Sequence, residues 1–329
     1  MCIQAEPLIV LAGPTAVGKT GLSLKIAEAV GGSVISADST QIYKELNIGS
    51  AKLLPEEQQG IPHYLIDVLE PEDPFDVTRF QKMAREAMRD IRDKGRVPIL
   101  TGGTGFYIQS VVYDIDFTEA ETDDAWRRAL EAETDPARLH AMLEAVDPEA
   151  ARAIHPNNVR RTIRALEFHH QTGLKISEHN EKERSRTSPY LFCYFVLTQE
   201  RSRVYERIDA RVDRMLKDGL EEEVRALKNM GLKKDMTSMK GLGYAEMLRY
   251  LDGEIPYEEA VRLIKRNTRH FAKRQLTWFR REKEVTWIDR DVYGEDDEKI
   301  LEAMLQILKE RRILPSDSGS DAAVSEGVQ

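Results

Sequence analysis

Leu8-Ile-Val-Leu-Ala12-Gly13-Pro14-Thr15-Ala16-Val17-Gly18-Lys19-Thr20 is the stretch on which the reading of the chain turns. An apolar run of strand length, Leu8 to Ala12, feeds a glycine-flanked turn, and Leu22, Leu24, Ile26, Ala27 and Val30 then recur at helical spacing. Gly13, Gly18, Lys19 and Thr20 match the G-x-x-x-x-G-K-[ST] phosphate loop in the strand-to-helix setting that the motif requires. Glycines let successive amides turn inward around an anion at the positive end of the following helix. Lys19 adds a mobile full charge, and the Thr20 hydroxyl can ligate a magnesium ion. The loop alone does not say whose phosphate it holds.

Outward from the loop, 329 residues are enough for two domains or for one core with a large insertion. The 41% hydrophobic and 32% charged content is that of a globular enzyme. No apolar run reaches membrane-spanning length, and the N-terminus has no signal-type stretch, so no membrane is expected and a cytoplasmic protein is. Cys2 and Cys193 are the only cysteines, which leaves neither a disulfide framework nor a cysteine zinc site. A net charge of −9 argues against a nucleic-acid partner, although binding depends on local patches.

Four further apolar runs read as strands of the same core: Ser33 to Ala37, Tyr64 to Val68, Val97 to Thr101 and Tyr190 to Leu197, with a short one at Val285 to Ile288. Asp38 follows the second, where polar residues past a strand's carboxyl end line a ligand crevice. A helix N-cap would explain that aspartate as well. Gly102-Gly103-Thr104 follows the Val97 strand; a Gly-Gly pair there permits close backbone approach, and Thr104 either caps the next helix or faces the phosphate loop. His63 has no sequence neighbour that would make it a metal ligand. The pattern predicts an α/β fold: a phosphate-loop NTPase-like core with a parallel sheet flanked by helices, plus a helical insertion. The core occupies residues 1–115 and 190–313, the insertion 116–189, and a disordered tail is expected over 314–329, which is rich in Ser, Asp and Gly.

Within the insertion, Arg160, Arg161 and Arg164 lie off the apolar stripe of a helix begun near Asn157 or Asn158, either as a solvated face or as a clamp for phosphates. Arg207, Arg211 and Arg214 flank another stripe. Val261 to Arg281 carries eight Lys and Arg residues and no acid, with Phe271, Trp278 and Phe279 interleaved, which suggests an anionic partner.

Taken together, Gly13 to Thr20, Asp38-Ser39-Thr40-Gln41-Ile42-Tyr43, Gly102 to Tyr107, Arg161-Thr-Ile-Arg-Ala-Leu-Glu167 and Lys273-Arg-Gln-Leu-Thr-Trp278 resemble, in order, the bacterial tRNA dimethylallyltransferases (tRNA isopentenyltransferases). The similarity runs from about Leu8 to Asp289. Ser39-Thr40 stands where most bacterial members have Ser-Ala or a similar pair, and the zinc finger of some eukaryotic members is absent. The resemblance implies a magnesium-dependent transfer of a dimethylallyl group from dimethylallyl diphosphate to N6 of the adenosine 3′ of the anticodon. The diphosphate and the flipped-out base would enter one channel from opposite sides. It also implies Asp38 as general base, Thr104 and Arg211 as further catalytic residues, and Gly13, Pro14, Thr15, Ala16, Val17, Gly18, Lys19 and Thr20 as the diphosphate cradle. Asp38, Ser39, Thr40, Gln41 and Thr104 would meet the base, while Arg127, Arg160, Arg161, Thr162, Ile163 and Arg164 would grip the anticodon stem-loop. A monomer is expected, since nothing calls for an obligate interface. The alternatives are an ATP-dependent small-molecule kinase on the same fold, an isopentenyltransferase acting on free nucleotide, and an RNA-binding regulatory NTPase.

Overall fold

The computed structural model describes residues 6–117 and 123–314. Most of the expected tail and Cys2 lie outside them. The chain divides into two compact units, one ending at Val112 and resuming at Pro189, the other spanning Tyr113–Ser188.

The first unit opens with β1 (Glu6–Ala12), the loop, and α1 (Lys19–Val30). Then come β2 (Gly32–Ala37), β3 (His63–Tyr64), α2 (Val77–Asp93), β4 (Val97–Gly102) and α3 (Gly105–Val112). β3 is shorter than the expected Tyr64 to Val68 strand. Leu65 and Asp67 have φ of 62° and 55°, left-handed values that no continuing strand accommodates.

In the second unit, α4 (Asp124–Ala132), α5 (Pro136–Val146), α6 (Pro148–Ala153), α7 (Val159–Thr172) and α8 (Ile176–Arg184) follow one another. Pro136 and Pro148 begin helices rather than merely interrupting them. Each sits just inside an aspartate cap, Asp135 or Asp147, whose side chain accepts a first-turn amide. Such a cap stabilises a helix by about 1 kcal/mol, and proline at that position has no amide to leave unpaired. Leu139, Leu143, Ile163 and Leu166 are buried together as this unit's own core.

The first unit resumes with β5 (Tyr190–Thr198), α9 (Arg201–Lys217), α10 (Leu220–Asn229), α11 (Tyr244–Leu251), α12 (Tyr257–Phe279), β6 (Val285–Asp289) and α13 (Asp297–Glu310). The six strands form one parallel sheet in the order β3-β2-β4-β1-β5-β6. Leu8 to Ala12 are fully buried, as expected of a central parallel strand covered on both faces. Leu22 and Ile26 of α1 join Ile300, Met304 and Leu308 of α13 in one cluster with Ile9, Leu11, Phe195 and Ile288 of the sheet. Phe80 of α2 stacks on Tyr107 of α3 with ring centroids 4.5 Å apart.

Candidate active site

Sheet register brings the three turns together. Ala12 pairs with Gly102, and Gly102 with Ala37, so β1, β4 and β2 end on one line. The phosphate loop, the Gly103-Thr104 turn and Asp38 each begin one residue beyond it. They border a cavity of about 380 Å³ whose far wall is α9 and α12, with Arg207, Arg211, Arg214, Phe271 and Gln275 lining it.

The loop has the backbone the motif demands. Gly18, at the start of α1, has φ 96°, and a Cβ at Gly13 would lie 2.8 Å from the Leu197 carbonyl oxygen. Pro14 and Val17 face the core, so only their backbone is available to an anion. Lys19 Nζ donates to the carbonyls of Gly13 (2.9 Å) and Pro14 (2.7 Å), closing the loop on itself. Its pKa is lowered from 10.5 to about 7; burial is the largest cause, the charge of Arg211 adds to it, and Asp38 opposes both. The Thr15 amide is not turned to the cavity's centre. It donates to Gln275 Oε1 at 2.9 Å. Thr20 is exposed and lines the cavity.

Asp38 is held by its own turn. Its Oδ1 accepts from the Thr40 amide (2.9 Å), the Thr40 hydroxyl (2.7 Å) and the Gln41 amide (3.3 Å). No helix follows directly, so the helix-cap reading of Asp38 fails: one carboxylate oxygen fixes a turn while the residue lines the cavity. Gln41 also lines it; its Oε1 accepts from Ser36 Oγ at 3.0 Å. Ser39 and Thr40 stand beside these two, and Thr40 is spent on Asp38.

The Gly102-Gly103 pair is an approach point for α12. A Cβ on Gly103 would sit 2.1 Å from Gln275 Nε2, and one on Gly102 2.3 Å from the Ala37 carbonyl oxygen. Gln275 Nε2 donates to the Gly103 carbonyl at 2.9 Å, so this one amide joins the phosphate loop to the β4 turn. Thr104 is the next residue; its carbonyl accepts from Tyr107 and Ile108 as α3 begins. Sequence reasoning missed Gln275 as a site residue. The available signal was a polar residue on the same helix face as buried Ala272 and Phe279.

Arg207, Arg211 and Arg214 follow one another at helical spacing along α9. Arg211 reaches the Thr15 hydroxyl and the Ser50 carbonyl, both at 3.5 Å. Burial lowers its pKa, Asp38 pulls it back up and Arg214 lowers it again. Arg207 is paired with Glu295. The basic stripe of α12 is less naked than its sequence. Lys265 pairs with Asp213 and Arg269 with Asp209, both at 2.5 Å, and Arg262 with Glu259 at 2.6 Å.

In the second unit, Arg160, Arg161 and Arg164 are exposed on α7. Thr162 and Ile163 are buried, at 0% and 6% exposure, so they pack the helix and do not reach its surface. Arg127 is ion-paired with Glu131 (3.0 Å) and Glu167 (3.4 Å), which ties α4 to α7.

Among the described residues no group of three or more His, Cys, Asp or Glu side chains could hold a metal ion, and no helix is long and apolar enough to cross a membrane. The Thr20 hydroxyl, which lines the cavity, nonetheless suits magnesium, an ion that keeps several waters and is held largely by substrate phosphates.

Comparison with known proteins points one way. The family model described as IPP transferase matches residues 41–282. The tRNA dimethylallyltransferase of Lachnoclostridium phytofermentans is 53% identical over 312 residues, covering 94% of this chain and 99% of the relative. That of Carboxydothermus hydrogenoformans is 47% identical over 305 residues, 92% and 97% of the two chains. The crystal structure of a tRNA isopentenylpyrophosphate transferase from Bacillus halodurans superposes with a TM-score of 0.71 at 42% identity, covering 93% of this chain and 98% of that one.

Proposed function

Since the chain belongs to the IPP transferase family, whose matched bacterial relatives are tRNA dimethylallyltransferases, we propose a division of labour among its own residues for that reaction. The chain is a tRNA-modifying prenyltransferase. Dimethylallyl diphosphate is the donor, and N6 of the adenosine 3′ of the anticodon is the acceptor. The N6–carbon bond forms as the allylic carbon–oxygen bond breaks, diphosphate departs, and the amine proton passes to Asp38.

The observation that carries this reading is the convergence of the phosphate loop, Asp38, Gly103 and Arg211 on one cavity, with Thr104 the next residue along the chain. Rate in such a transfer depends on stabilising charge as it develops on the leaving diphosphate. The Ala16 to Thr20 amides of the loop, Lys19 and Arg211 supply that stabilisation. Magnesium held by Thr20 and the phosphates would add Lewis-acid charge neutralisation. Asp38 takes the proton from an aryl amine, a poor base, at hydrogen-bond reach. Its Oδ1 is committed to Thr40 and Gln41, so Oδ2 is the oxygen for proton transfer. Gln41 reads the base, and Thr104, at the turn between cradle and acid, positions the two reactants. Extruding the base costs a few kcal/mol, least in an anticodon loop. Arg160, Arg161 and Arg164 grip the loop backbone. A monomer working in the cytoplasm completes the reading.

The test is to incubate the protein with labelled dimethylallyl diphosphate and unmodified tRNA, and separately with ATP. Label in tRNA without ATP turnover is expected. ATP hydrolysis with no label would transfer the case to a kinase or a regulatory NTPase.

A further inference from the structure

Two stretches of the first unit, Asn47 to Lys52 and Gly241 to Tyr244, have no part in the division of labour above. They meet at Glu223 of α10. The Glu223 carboxylate accepts three successive amides, with Asn47 N at 3.0 Å and Ile48 N at 2.7 Å on Oε2 and Gly49 N at 3.0 Å on Oε1. The fourth amide, Ser50 N, donates to Tyr244 Oη at 3.1 Å, and that hydroxyl donates to Glu223 Oε1 at 2.8 Å. Four consecutive backbone donors thus close on one carboxylate and one phenol. This is a nest of the kind that elsewhere holds a free anion.

The fit is tight. Tyr244 is fully buried, and a Cβ on Gly49 would lie 2.5 Å from its Cζ. Burial and the Glu223 charge hold the Tyr244 phenol well above its ordinary pKa, so it remains a donor. Fixing the four amides sets the next carbonyls. Ser50 O accepts from Gln41 Nε2 at 3.3 Å and Arg211 Nη2 at 3.5 Å, and Ala51 O from Gln41 Nε2 at 3.3 Å. Ala51 holds φ 46°, a left-handed value that a non-glycine residue keeps only when its surroundings impose it. Ala51 itself lines the cavity.

We infer that Glu223 and Tyr244 are positioning residues for the transfer: their clamp fixes the Asn47–Ala51 wall, and the wall aims the Gln41 amide and the Arg211 guanidinium into the cavity. The inference rests on the transferase reading above, because it needs Gln41 and Arg211 to act on the reactants. Neither clamp residue touches the cavity. Their effect should therefore pass through the side chains they aim.

The experiment measures single-turnover transfer of labelled dimethylallyl to tRNA with enzyme in excess, so that the rate constant is independent of the active fraction. Tyr244→Phe removes one oxygen and keeps the ring. It should slow transfer roughly tenfold, the scale of a misaimed catalytic group. In a Gln41→Ala, Arg211→Lys background, where both aimed groups are already gone, the same change should cost roughly threefold or less, the mark of coupled residues. Glu223→Gln, which sets an NH₂ against an amide donor, should slow transfer as much as Tyr244→Phe. A Tyr244→Phe enzyme at the wild-type rate, or a tenfold loss in both backgrounds, overturns the inference. A wild-type protein that labels no tRNA overturns the transferase reading instead, so the two failures are distinguishable.

Discussion

The lysine of the phosphate loop should make diphosphate binding a proton-uptake reaction. Lys19 has a pKa of about 7, lowered by burial first and Arg211 second. An anion in the loop supplies the countercharge that burial withholds, and should return the ammonium towards its ordinary 10.5. With the free value at about 7, the empty site is half charged at pH 7 and about one-tenth charged at pH 8. Binding then takes up roughly 0.1 proton at pH 6, about 0.5 at pH 7 and about 0.9 at pH 8. Above pH 8 the affinity for diphosphate should fall by nearly tenfold per pH unit from this group alone.

Calorimetric titration with inorganic diphosphate, run at each pH in two buffers of different ionisation enthalpy, measures the uptake. Lys19→Arg is the reference, because a guanidinium stays charged throughout and the ligand's own protonation cancels in the difference. The sign extends to folding. A cation with a lowered native pKa leaves the unfolded chain holding the extra proton between about 7 and 10.5, so the ligand-free protein gains stability as pH rises through that window. Equal proton uptake by wild type and Lys19→Arg at pH 8 would refute the argument.

Asp38→Asn keeps the acceptor that Thr40 and Gln41 use but lacks a base; transfer should fall by about 10²–10⁴ while filter-bound tRNA is unchanged, and a rate within tenfold of wild type removes the base role. Arg161→Ala and Arg164→Ala should each weaken tRNA binding and reduce the slope of log affinity against log salt by about one. An unaltered slope returns these arginines to a solvated face. Gly103→Ala drives a methyl to 2.1 Å from Gln275 Nε2 and should destabilise the protein by about 1–3 kcal/mol. Gln275→Ala in the same chain should recover part of that loss in thermal unfolding, and no recovery would mean that another neighbour bears the clash.

Five of the six strands could be read from the sequence because buried parallel strands are continuous apolar runs, and Val97 to Thr101 has no other sensible use. The Tyr64 to Val68 run reads as a strand too, but β3 ends at Tyr64, since Leu65 and Asp67 take left-handed conformations that no side-chain pattern announces. The cradle and Asp38 were legible for a local reason: each follows its strand directly. Gln275 and Glu223 were not. Each acts across more than 170 residues, Gln275 on Thr15 and Gly103 and Glu223 on Asn47 to Gly49, and such pairings exist only once α10 and α12 are packed. The basic run of α12 misled for the same reason, because Asp209 and Asp213, which neutralise Arg269 and Lys265, lie on α9.

The strand order explains why acid and anion cradle are neighbours but not adjacent. β4 lies between β1, which carries the phosphate loop, and β2, which carries Asp38. Two inter-strand spacings separate the ends of β1 and β2 by about 9.6 Å. A near-attack approach of nitrogen to carbon takes about 3–3.5 Å of that. The hydrogen bond from the amine to its base takes about 2.6–3.2 Å more. Roughly 3 Å remains between the cradle and the reacting carbon. The end of β4 lies between the two, and there the chain has Gly102 and Gly103, whose missing side chains let the Ala37 backbone and the Gln275 amide pack close. A parallel sheet whose β4 did not intervene would bring Asp38 against the leaving diphosphate, where like charges would oppose each other. With β4 in place, the proposed roles need the carboxylate to face the nucleophile and the cations to face the leaving group.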